Sequence, residues 1–472
     1  MRNDTVPATV ERFDIAVVGA GPAGMAAAIT TAGLGARVVV LDEQRAVGGQ
    51  IYRAVTTAPA RRLEMLGPDY AAGKPLAERF RACGALHIAD AAVWQIVPDG
   101  TVHYLRGGKT ATLKAERVIV CSGAMERPFP IPGWTLPGVL TAGAAQILLK
   151  SADVVPAEPV VLAGCGPLLY LLGWQYVRAG VPIRALVDTT AMEDYRRAIP
   201  HLGGALAGWR YLQKGLALMR VLRRAGVPFF TGARALAVEG DDAGDAVRAL
   251  RFEAGGTSHR IETSTLLLHH GVVPNTQFTW SLRAAHRWDN AQLCWTPETD
   301  AWGALSVANV SLAGDGMGIG GAVASALQGE LAALGALHSL GKLPEAERDR
   351  RAAPIRAALA SNLRIRPFLD ALYRPKQANR VPADDVVVCR CEEVTAGDIR
   401  GFVKLGCHGP NQAKAFGRCG MGPCQGRQCG LTVTEVIAEA RGVAPAEVGY
   451  YRIRPPIKPV SLGELAGHIA ND

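Results

Sequence analysis

The segment from Phe13 to Asp42 constrains the fold of this chain more strongly than any other stretch. It reads FDIAVVGAGPAGMAAAITTAGLGARVVVLD, in which an apolar run meets three glycines with the spacing G-x-G-x-x-G. A helix of small residues, a second apolar run and an acidic residue follow in that order. Together these parts predict a complete βαβ unit, which is typical of a doubly wound α/β domain that binds a dinucleotide.

Each part of this unit suits the phosphates and the ribose of an adenine dinucleotide. Gly19 permits a tight turn, Gly21 lets the backbone approach a pyrophosphate, and Gly24 lets the helix pack closely on the strand. The helix N-terminus offers free N–H groups and a positive dipole end, and Asp42 can accept hydrogen bonds from a ribose. The residues that we predict to bind the cofactor here are Gly19, Gly21, Pro22, Ala23, Gly24, Asp42 and Glu43.

A glycine pair follows the acidic residue in the segment VGGQIYR, residues 47–53. Two adjacent glycines let the backbone pass close to a bulky ligand. An ordinary turn is the alternative for this segment taken alone. We assign Gly49 and Gln50 to the same cofactor site.

Length and charge narrow the class of protein. The chain has 472 residues, of which 49% are hydrophobic, and this length predicts two or three domains. No apolar run is long enough to cross a bilayer and the N-terminal residues lack a signal region, so we expect a cytoplasmic location. The net charge of +9 comes mainly from scattered arginines. This pattern argues against nucleic-acid binding and leaves peripheral attachment to the inner membrane open.

Two later segments resemble the two-dinucleotide-binding-domain flavoproteins. They are RVIVCSGAMERPFPIPG, residues 117–133, and VSLAGDGMGIGG, residues 310–321. The resemblance implies an FAD domain in two parts, with Gly123 at the end of one strand and Gly314 and Asp315 at the end of another. In that family the aspartate of the G-D pair bonds the ribityl chain. Residues 1–388 contain no closely spaced cysteine pair, so disulfide chemistry at the flavin is not expected.

The stretch from Pro159 to Asp188 repeats the opening unit. Gly164 and Gly166 keep their places, but Leu169 stands where the third glycine would be, so the helix should sit farther from its strand. The flavoprotein resemblance implies an inserted NAD(P)H domain, in which Asp188 would favour a free 2′-OH. A retained fold that binds another adenine nucleotide, or no nicotinamide, is the alternative.

A cysteine-rich module follows an Arg-, Ala- and Pro-rich connector. Six of the ten cysteines lie between Cys389 and Cys429: two in a C-R-C run, three in GRCGMGPCQGRQC, and Cys407 between the two runs. Thiolates grouped in this way select zinc or an iron–sulfur cluster. The single spacer of C-R-C counts against zinc, whose paired ligands are usually two to four residues apart.

This module resembles bacterioferritin-associated ferredoxin, in which a C-x-C pair and a second cysteine pair some thirty residues later hold a 2Fe-2S cluster. The resemblance implies the ligands Cys389, Cys391, Cys424 and Cys429. The second pair is wider here, and Cys419 is an alternative to Cys424. Apart from the ligands, Thr395 and Asp398 predict a capping box that opens a helix ending near residue 405. Cys407 is expected to be a buried thiol, and the Pro-rich tail to lie on another domain or on a partner.

Nearly the whole chain resembles the α subunits of heteromeric dye-linked amino-acid and opine dehydrogenases. This group includes the A subunit of opine oxidase, the B subunit of hydrogen cyanide synthase and hydroxyproline dehydrogenases. The segments RCGMGPCQGRQCG and RIRPPIKPVSLGELA carry this resemblance. In that group a β subunit of the D-amino-acid-oxidase type oxidises a C–N bond with its own FAD. Some complexes add FMN at the subunit interface or a small ferredoxin-like γ subunit.

The resemblance implies an α/β fold with an FAD domain, an inserted second nucleotide-binding domain and a small helical 2Fe-2S domain. It also implies an electron-transferring subunit with its substrate site on the partner, since no His/Asp base constellation is evident. His269 and His270 point to opposite faces of a strand and are interpreted as hydrogen-bonded histidines. The alternatives are a self-sufficient NAD(P)H-dependent oxidoreductase and a non-redox structural subunit. The expected divisions are 1–155 and 276–342 for the FAD domain, 156–275 for the insertion, 343–384 for a linker, 385–442 for the cysteine module and 443–472 for the tail.

Overall fold

The computed structural model describes residues 10–241 and 243–467. The chain begins with a βαβ unit and a mixed region, whose elements are β1 (Glu11–Val18), α1 (Pro22–Gly33), β2 (Val38–Leu41), α2 (Ala60–Leu66), α3 (Pro68–Ala71), α4 (Gly73–Ala82), β3 (Leu86–Ile88), β4 (Ala92–Ile96), β5 (Thr101–Arg106), β6 (Lys109–Val120), β7 (Ala124–Glu126), β8 (Val139–Thr141) and α5 (Ala142–Ala152).

A second βαβ unit and an antiparallel sheet follow. Their elements are β9 (Val160–Gly164), α6 (Pro167–Arg178), β10 (Ile183–Asp188), α7 (Met192–Ala198), α8 (Leu202–Ala207), α9 (Trp209–Arg224), β11 (Phe229–Thr231), β12 (Arg234–Gly240), β13 (Val247–Ala254), β14 (Thr257–Glu262), β15 (Leu266–His269) and β16 (Val272–Pro274).

The remaining elements complete the first sheet and then form the cysteine module and the tail. They are α10 (Gln277–Ser281), β17 (His286–Asp289), β18 (Cys294–Pro297), β19 (Val310–Leu312), α11 (Ala322–Ser339), α12 (Glu345–Leu363), α13 (Arg366–Leu372), β20 (Val387–Cys389), β21 (Val394–Thr395), α14 (Ala396–Lys404), α15 (Pro410–Gly417), α16 (Gly430–Arg441), α17 (Pro445–Val448) and α18 (Leu462–Ala466).

The first sheet has the strand order β3-β2-β1-β6-β5-β4, and β19 pairs with β6. Strands β3, β2, β1, β6 and β19 are parallel, whereas β5 and β4 extend the sheet in the antiparallel sense. Every residue of β2 is buried, as expected for a parallel strand covered on both faces. The carboxyl ends of β1, β2, β6 and β19 therefore meet at one edge, where the predicted cofactor residues lie.

The second sheet is entirely parallel, with the order β11-β10-β9-β15-β8. Strand β8 belongs to this sheet although it falls within residues 1–155, so the chain enters the second sheet before the division expected at residue 155. The antiparallel strands β12, β13 and β14 form a separate sheet that precedes the return through β15. Strands β7 and β16 pair with each other where the chain passes between the two parallel sheets.

The cysteine module packs on the first sheet through one shared apolar core. Val388, Val433 and Ile437 of the module are buried in the same cluster as Phe13 and Val39. The capping box is confirmed, because Thr395 accepts the N–H of Asp398 while the Asp398 carboxylate accepts the N–H of Thr395. The module therefore has no separate core of its own and is held against the domain that carries the first glycine loop.

The C-terminal tail runs back to the first sheet. The N–H of Ile457 donates to Trp94 O at 3.0 Å, and Lys458 forms an ion pair with Glu43. Ile457 is buried, which accounts for the order of a segment that has few hydrogen bonds within itself. Among the helices of the described residues, none combines the length and the apolar character that crossing a bilayer requires.

Candidate functional site

The first glycine loop leaves no room for side chains. A Cβ on Gly24 would lie 1.8 Å from Gly19 O, so helix α1 can pack at this distance only with glycine there. Gly19 has φ +105°, and its own Cβ would lie 2.5 Å from Cys121 O. Gly49 packs on the loop from the other side, where its Cβ would lie 2.9 Å from Gly21 Cα. These contacts fit the physical roles that the sequence predicts for the three glycines of the motif.

Asp42 is tied to the loop by backbone hydrogen bonds. It accepts the N–H of Ala20 at 2.5 Å and the N–H of Gln44 at 2.7 Å, and it is 8% exposed. The neighbouring predicted residue, Glu43, pairs with Lys458 of the tail. The acid at the end of β2 thus fixes the glycine loop, and the tail lies next to the predicted ribose position.

Asp315 organises the other end of the same site. Its Oδ1 accepts the N–H groups of Gly320 and Gly321, both at 2.9 Å, and the hydroxyl of Ser325 at 3.2 Å. These bonds hold the glycine turn at the start of α11, and a Cβ on Gly314 would lie 2.9 Å from the side chain of Ala23. The second cofactor segment therefore packs directly on the first.

The strand end at Gly123 leaves open space where a flavin would lie. Gly123 has φ +66° and nothing within 4 Å of a Cβ position, and its carbonyl accepts the N–H of Asn275 at 2.9 Å. Asn275 Oδ1 is buried and has no hydrogen-bond partner in the described residues. The unpaired Oδ1 of Asn275, the open space beside Gly123 and the first glycine loop, which has no side chains in the way of a phosphate, together fit FAD.

A buried lysine that sequence reasoning missed lies beside predicted Gln50. Lys150 donates to Gln50 O at 3.2 Å and to Gln146 Oε1 at 2.8 Å. Burial, with a smaller contribution from the nearby Arg53, lowers the pKa of Lys150 to about 7. Its position on α5, a hundred residues beyond the loop in sequence, gave no local signal.

The second glycine loop differs from the first. Gly164 and Gly166 have φ of +130° and +114°, and a Cβ on Gly164 would lie 1.6 Å from His269 O. Leu169 takes the third glycine position and is fully buried. Asp188 is 2% exposed, accepts the Tyr170 hydroxyl, and accepts the Thr190 N–H at 2.7 Å. Both carboxylate oxygens of Asp188 accept hydrogen bonds from the protein, as those of Asp42 do, but one of the donors here is a side chain.

Burial raises the pKa of Asp188 above its ordinary value, and the hydrogen bonds from Tyr170 and Thr190 offset only part of that effect. The two histidines of β15 and its end are hydrogen-bonded, as interpreted from the sequence. His269 Nδ1 lies 2.6 Å from Glu126 Oε1, and His270 Nε2 lies 2.5 Å from Pro128 O. Burial, followed by the charge of Arg127, lowers the pKa of His270 well below its usual range.

Five cysteines meet in the cysteine module. The sulfur atoms of Cys389, Cys419 and Cys429 all lie within 4.8 Å of one another, and all three residues are buried. Cys424 is hydrogen-bonded to Cys429 and to Cys391, which joins the other two predicted ligands to the group. All five are free thiols. Sulfur donors grouped in this way fit an iron–sulfur cluster, as well as the all-cysteine zinc sites that the C-R-C spacing disfavours.

The structure brings Cys419 into the centre of this set, where the sequence left it as an alternative ligand. Hydrogen bonds from Cys419 and Cys429 lower the pKa of Cys389 to about 2, and a hydrogen bond from Cys429 lowers that of Cys424 to about 5. Cys391 is exposed, whereas Cys407 is buried and donates to Gly409 O, away from the cluster. The choice between Cys419 and Cys424 as fourth ligand stays a prediction.

Aromatic side chains fill the space between the module and the first domain. Tyr450 stacks on Trp280 with ring centroids 5.2 Å apart, and Trp280 meets Trp295 edge to face at 5.7 Å. Trp280 and Trp295 lie shortly after Asn275 in the chain, on α10 and β18. Tyr451, which follows Tyr450 in the chain, contacts the cysteines through its hydroxyl. Sequence reasoning missed these residues, and the paired tyrosines of the tail were the one visible signal.

Comparison with known proteins agrees with this geometry. A family model described as pyridine nucleotide-disulphide oxidoreductase matches residues 13–329, and the Sarcosine oxidase A3 domain model matches residues 385–468. L-proline dehydrogenase from P. horikoshii has the same fold, with a TM-score of 0.69 and 19% identity, over 97% of this chain and 80% of that one. The fold and the first site thus define an FAD-dependent oxidoreductase with two dinucleotide-binding domains, which confirms the predicted fold class.

Two relatives narrow the class further. The A subunit of opine oxidase from Agrobacterium tumefaciens (strain Ach5) is 45% identical over 466 residues, which cover 96% of this chain and 91% of that protein. Hydrogen cyanide synthase subunit HcnB of Pseudomonas protegens is 31% identical, over 94% of this chain and 95% of that protein. The chain belongs to the family of the opine oxidase A subunits, and the resemblance stated from its sequence is confirmed. Both relatives are named as subunits, so the family is one of subunits of larger enzymes.

Proposed function

We propose that this chain is the electron-transferring subunit of a heteromeric dehydrogenase that acts on an amino acid, an imino acid or an opine. In this role FAD binds at the first glycine loop, and a 2Fe-2S cluster is held by Cys389, Cys391, Cys429 and either Cys424 or Cys419. A flavin exchanges electrons in pairs or singly, whereas a 2Fe-2S cluster accepts one at a time. The chain's own contribution is to hold both groups in one packed unit.

The observation that carries the proposal is the sulfur cluster beside the first domain. Cys389 and Cys429 belong to the same apolar core as strand β1, and the Tyr450–Trp280 stack bridges the two parts. A cluster held there would lie against the FAD domain on its Cys389 and Cys429 side, with Cys391 toward solvent, and this contact with the FAD domain favours electron exchange over a purely structural metal. We assign no amine-oxidising base to this chain. The C–N bond is oxidised on a β subunit of the D-amino-acid-oxidase type with its own FAD.

An FMN at the subunit interface and a small γ subunit belong to the same proposal on the strength of the family resemblance. The second glycine loop is proposed to hold NAD(P) or another adenine nucleotide that donates no hydride. Asp188 accepts a side-chain hydroxyl, that of Tyr170, in addition to the Thr190 N–H, whereas Asp42 accepts only backbone N–H groups, so the acid of the second loop carries a protein contact that the first lacks. Stopped-flow mixing with NADH tests this point, because rapid bleaching of the flavin would instead support a self-sufficient NAD(P)H-dependent enzyme.

The cluster is tested on anaerobically prepared protein that is co-expressed with the products of neighbouring reading frames. We expect acid-labile sulfide and a paramagnetic signal after dithionite, both of which Cys389→Ser abolishes. Cys407→Ser is the matched control, because Cys407 is a buried thiol of the same module whose Sγ donates to Gly409 O, away from the other sulfurs. The absence of both acid-labile sulfide and the paramagnetic signal from the unaltered complex would contradict the proposal.

The substrate class is tested on the same complex with a panel of amino acids, imino acids and opines and an artificial electron acceptor. We expect dye reduction with members of this panel when the β subunit is present and none with this chain alone. Dye reduction by the isolated chain would show that the substrate site lies on this chain and not on the β subunit. A complex that purifies intact without flavin absorbance would favour a non-redox structural subunit.

A further inference from the structure

The cysteine loop is shaped to admit two tyrosines of the tail. A Cβ on Gly420 would lie 2.4 Å from the ring of Tyr451, and one on Gly426 would lie 2.5 Å from it. Tyr451 is fully buried between these two glycines. Gly430 makes the corresponding space for Tyr450, whose hydroxyl oxygen a Cβ there would meet at 2.4 Å and whose ring it would meet at 2.6 Å. Three glycines of the run GRCGMGPCQGRQCG therefore serve the aromatic pair rather than turn geometry alone.

The hydroxyl of Tyr451 reaches the sulfur atoms. It donates to Cys419 Sγ at 3.4 Å and lies 3.7 Å from Cys429 Sγ. The N–H of Gly420 adds a donor to Cys389 Sγ at 3.5 Å. A phenol keeps its proton at neutral pH, so it can serve as a donor to a thiolate that has none.

The backbone on both sides of Tyr451 is held in place by one side chain. Asn411 accepts the N–H of Arg452 at 2.7 Å and donates to Tyr450 O at 3.2 Å. Lys414 lies over the Tyr451 ring, with its Nζ 4.8 Å from the ring centroid. These contacts fix the phenol, and with it the hydroxyl, relative to helix α15.

We propose that Tyr451 is a positioning residue that raises the reduction potential of the iron–sulfur cluster by donating a hydrogen bond to its cysteine sulfurs. The inference rests on the proposed function. Reduction adds an electron to an already anionic group of irons and sulfurs, and a donor to a sulfur ligand stabilises that extra charge. The donor is in reach of Cys429 whether Cys419 or Cys424 completes the ligand set, so the inference does not depend on that choice.

The test is a redox titration of the complete complex, followed by the paramagnetic signal of the reduced cluster. Tyr451→Phe removes the hydroxyl and keeps the ring between Gly420 and Gly426, so we expect a lower midpoint potential at unchanged cluster content. Tyr450→Phe is the matched control. Its hydroxyl lies 3.5 Å from Gly426 O rather than at a sulfur, so its loss should leave the potential unchanged.

The outcomes separate this inference from the function it rests on. If the unaltered complex contains no cluster, the proposed function is contradicted. A cluster whose potential is the same in Tyr451→Phe and in the unaltered complex overturns the inference alone, as does an equal shift in both Tyr variants. If Tyr451→Phe assembles no cluster, Asn411→Ala decides, because it keeps the phenol and releases only the backbone that positions it. A midpoint potential of Asn411→Ala below that of the unaltered complex supports the inference, and an unchanged potential overturns it.

Discussion

The two glycine loops of this chain have the same order of elements and different chemistry. In the first, Gly24 brings α1 against the backbone of Gly19, where a Cβ would lie 1.8 Å from a carbonyl oxygen. In the second, Leu169 takes the equivalent place and its side chain is fully buried in the core. At the third position of the motif, the first loop thus has a glycine that allows close helix packing, whereas the second has a leucine whose side chain is buried.

The acidic residues at the ends of β2 and β10, Asp42 and Asp188, differ in their hydrogen-bond donors. Asp42 accepts only backbone N–H groups, one of them from Ala20 inside the glycine loop itself. Asp188 accepts the hydroxyl of Tyr170, a side chain in the first turn of α6, and its raised pKa reflects its burial. The first acid stabilises its phosphate loop, whereas the second is paired within its own domain. The comparison shows that the glycine spacing predicts the fold of both loops but not the side chain that pairs with the acid of the second.

The largest effect is expected from a substitution that disrupts the packing of the first glycine loop. Gly24→Ala forces α1 away from Gly19, because the added Cβ meets backbone that cannot move aside. We expect a loss of about 3 kcal/mol in the free energy of unfolding and protein that purifies with little flavin. Thermal unfolding and the visible absorbance per chain measure the two effects.

The control for this variant is Leu169→Ala in the second loop. Removing a buried leucine leaves a cavity and also costs about 3 kcal/mol, but the change lies in the other domain. Flavin content should therefore stay at the level of the unaltered protein. Equal loss of flavin in both variants would show that general destabilisation, and not the loop geometry, decides cofactor retention.

A smaller effect is expected from the two acids. Asp42→Ala leaves the N–H groups of Ala20 and Gln44 without their acceptor, at a cost of about 1–3 kcal/mol for each that stays buried. Because Ala20 belongs to the loop, the flavin dissociation constant should rise about tenfold or more. Titration of the flavin-stripped complex with FAD measures the change. Asp188→Ala should leave FAD affinity unaltered, and a comparable weakening there would contradict the assignment of the two sites.

The sequence predicted the parts of the site whose causes are local. Gly19, Gly21 and Gly24 follow from backbone approach, and the capping box at Thr395 follows from the pattern of the helix start. Cys419 was not singled out as central, because its burial depends on Arg418, whose left-handed φ of +58° ends α15 and turns the chain inward.

Tyr170 and Tyr451 escaped prediction for a related reason. Each reaches its partner through tertiary structure, Tyr170 across the packing of α6 on β10 and Tyr451 through a tail that returns after α16 and α17. Spacing in a sequence carries no information about such contacts, whereas it does about turns, caps and adjacent ligands.

Removing the partner of Asp188 should have a modest effect. Tyr170→Phe deletes a hydrogen bond to a buried carboxylate, and we expect a loss of about 1 kcal/mol in the free energy of unfolding with no change in flavin content. The same variant releases one oxygen of Asp188. If the second loop binds an adenine nucleotide, binding of ADP-ribose, followed by calorimetry, should then tighten, and weaker binding would assign the tyrosine itself to the ligand.

The smallest expected effect is the pH dependence that Asp188 contributes. Its pKa is raised by burial, so the folded chain keeps this proton at pH values where the unfolded chain, with a value near 3.8, has released it. The folded state then binds more protons, and stability falls as the pH rises from the unfolded value through the folded one. Asp188→Asn removes the titration, so the difference in thermal midpoint between the two proteins should change across this window and level off above it. A difference that stays constant throughout would mean that the pKa of Asp188 is not raised in the folded protein, which would contradict this prediction.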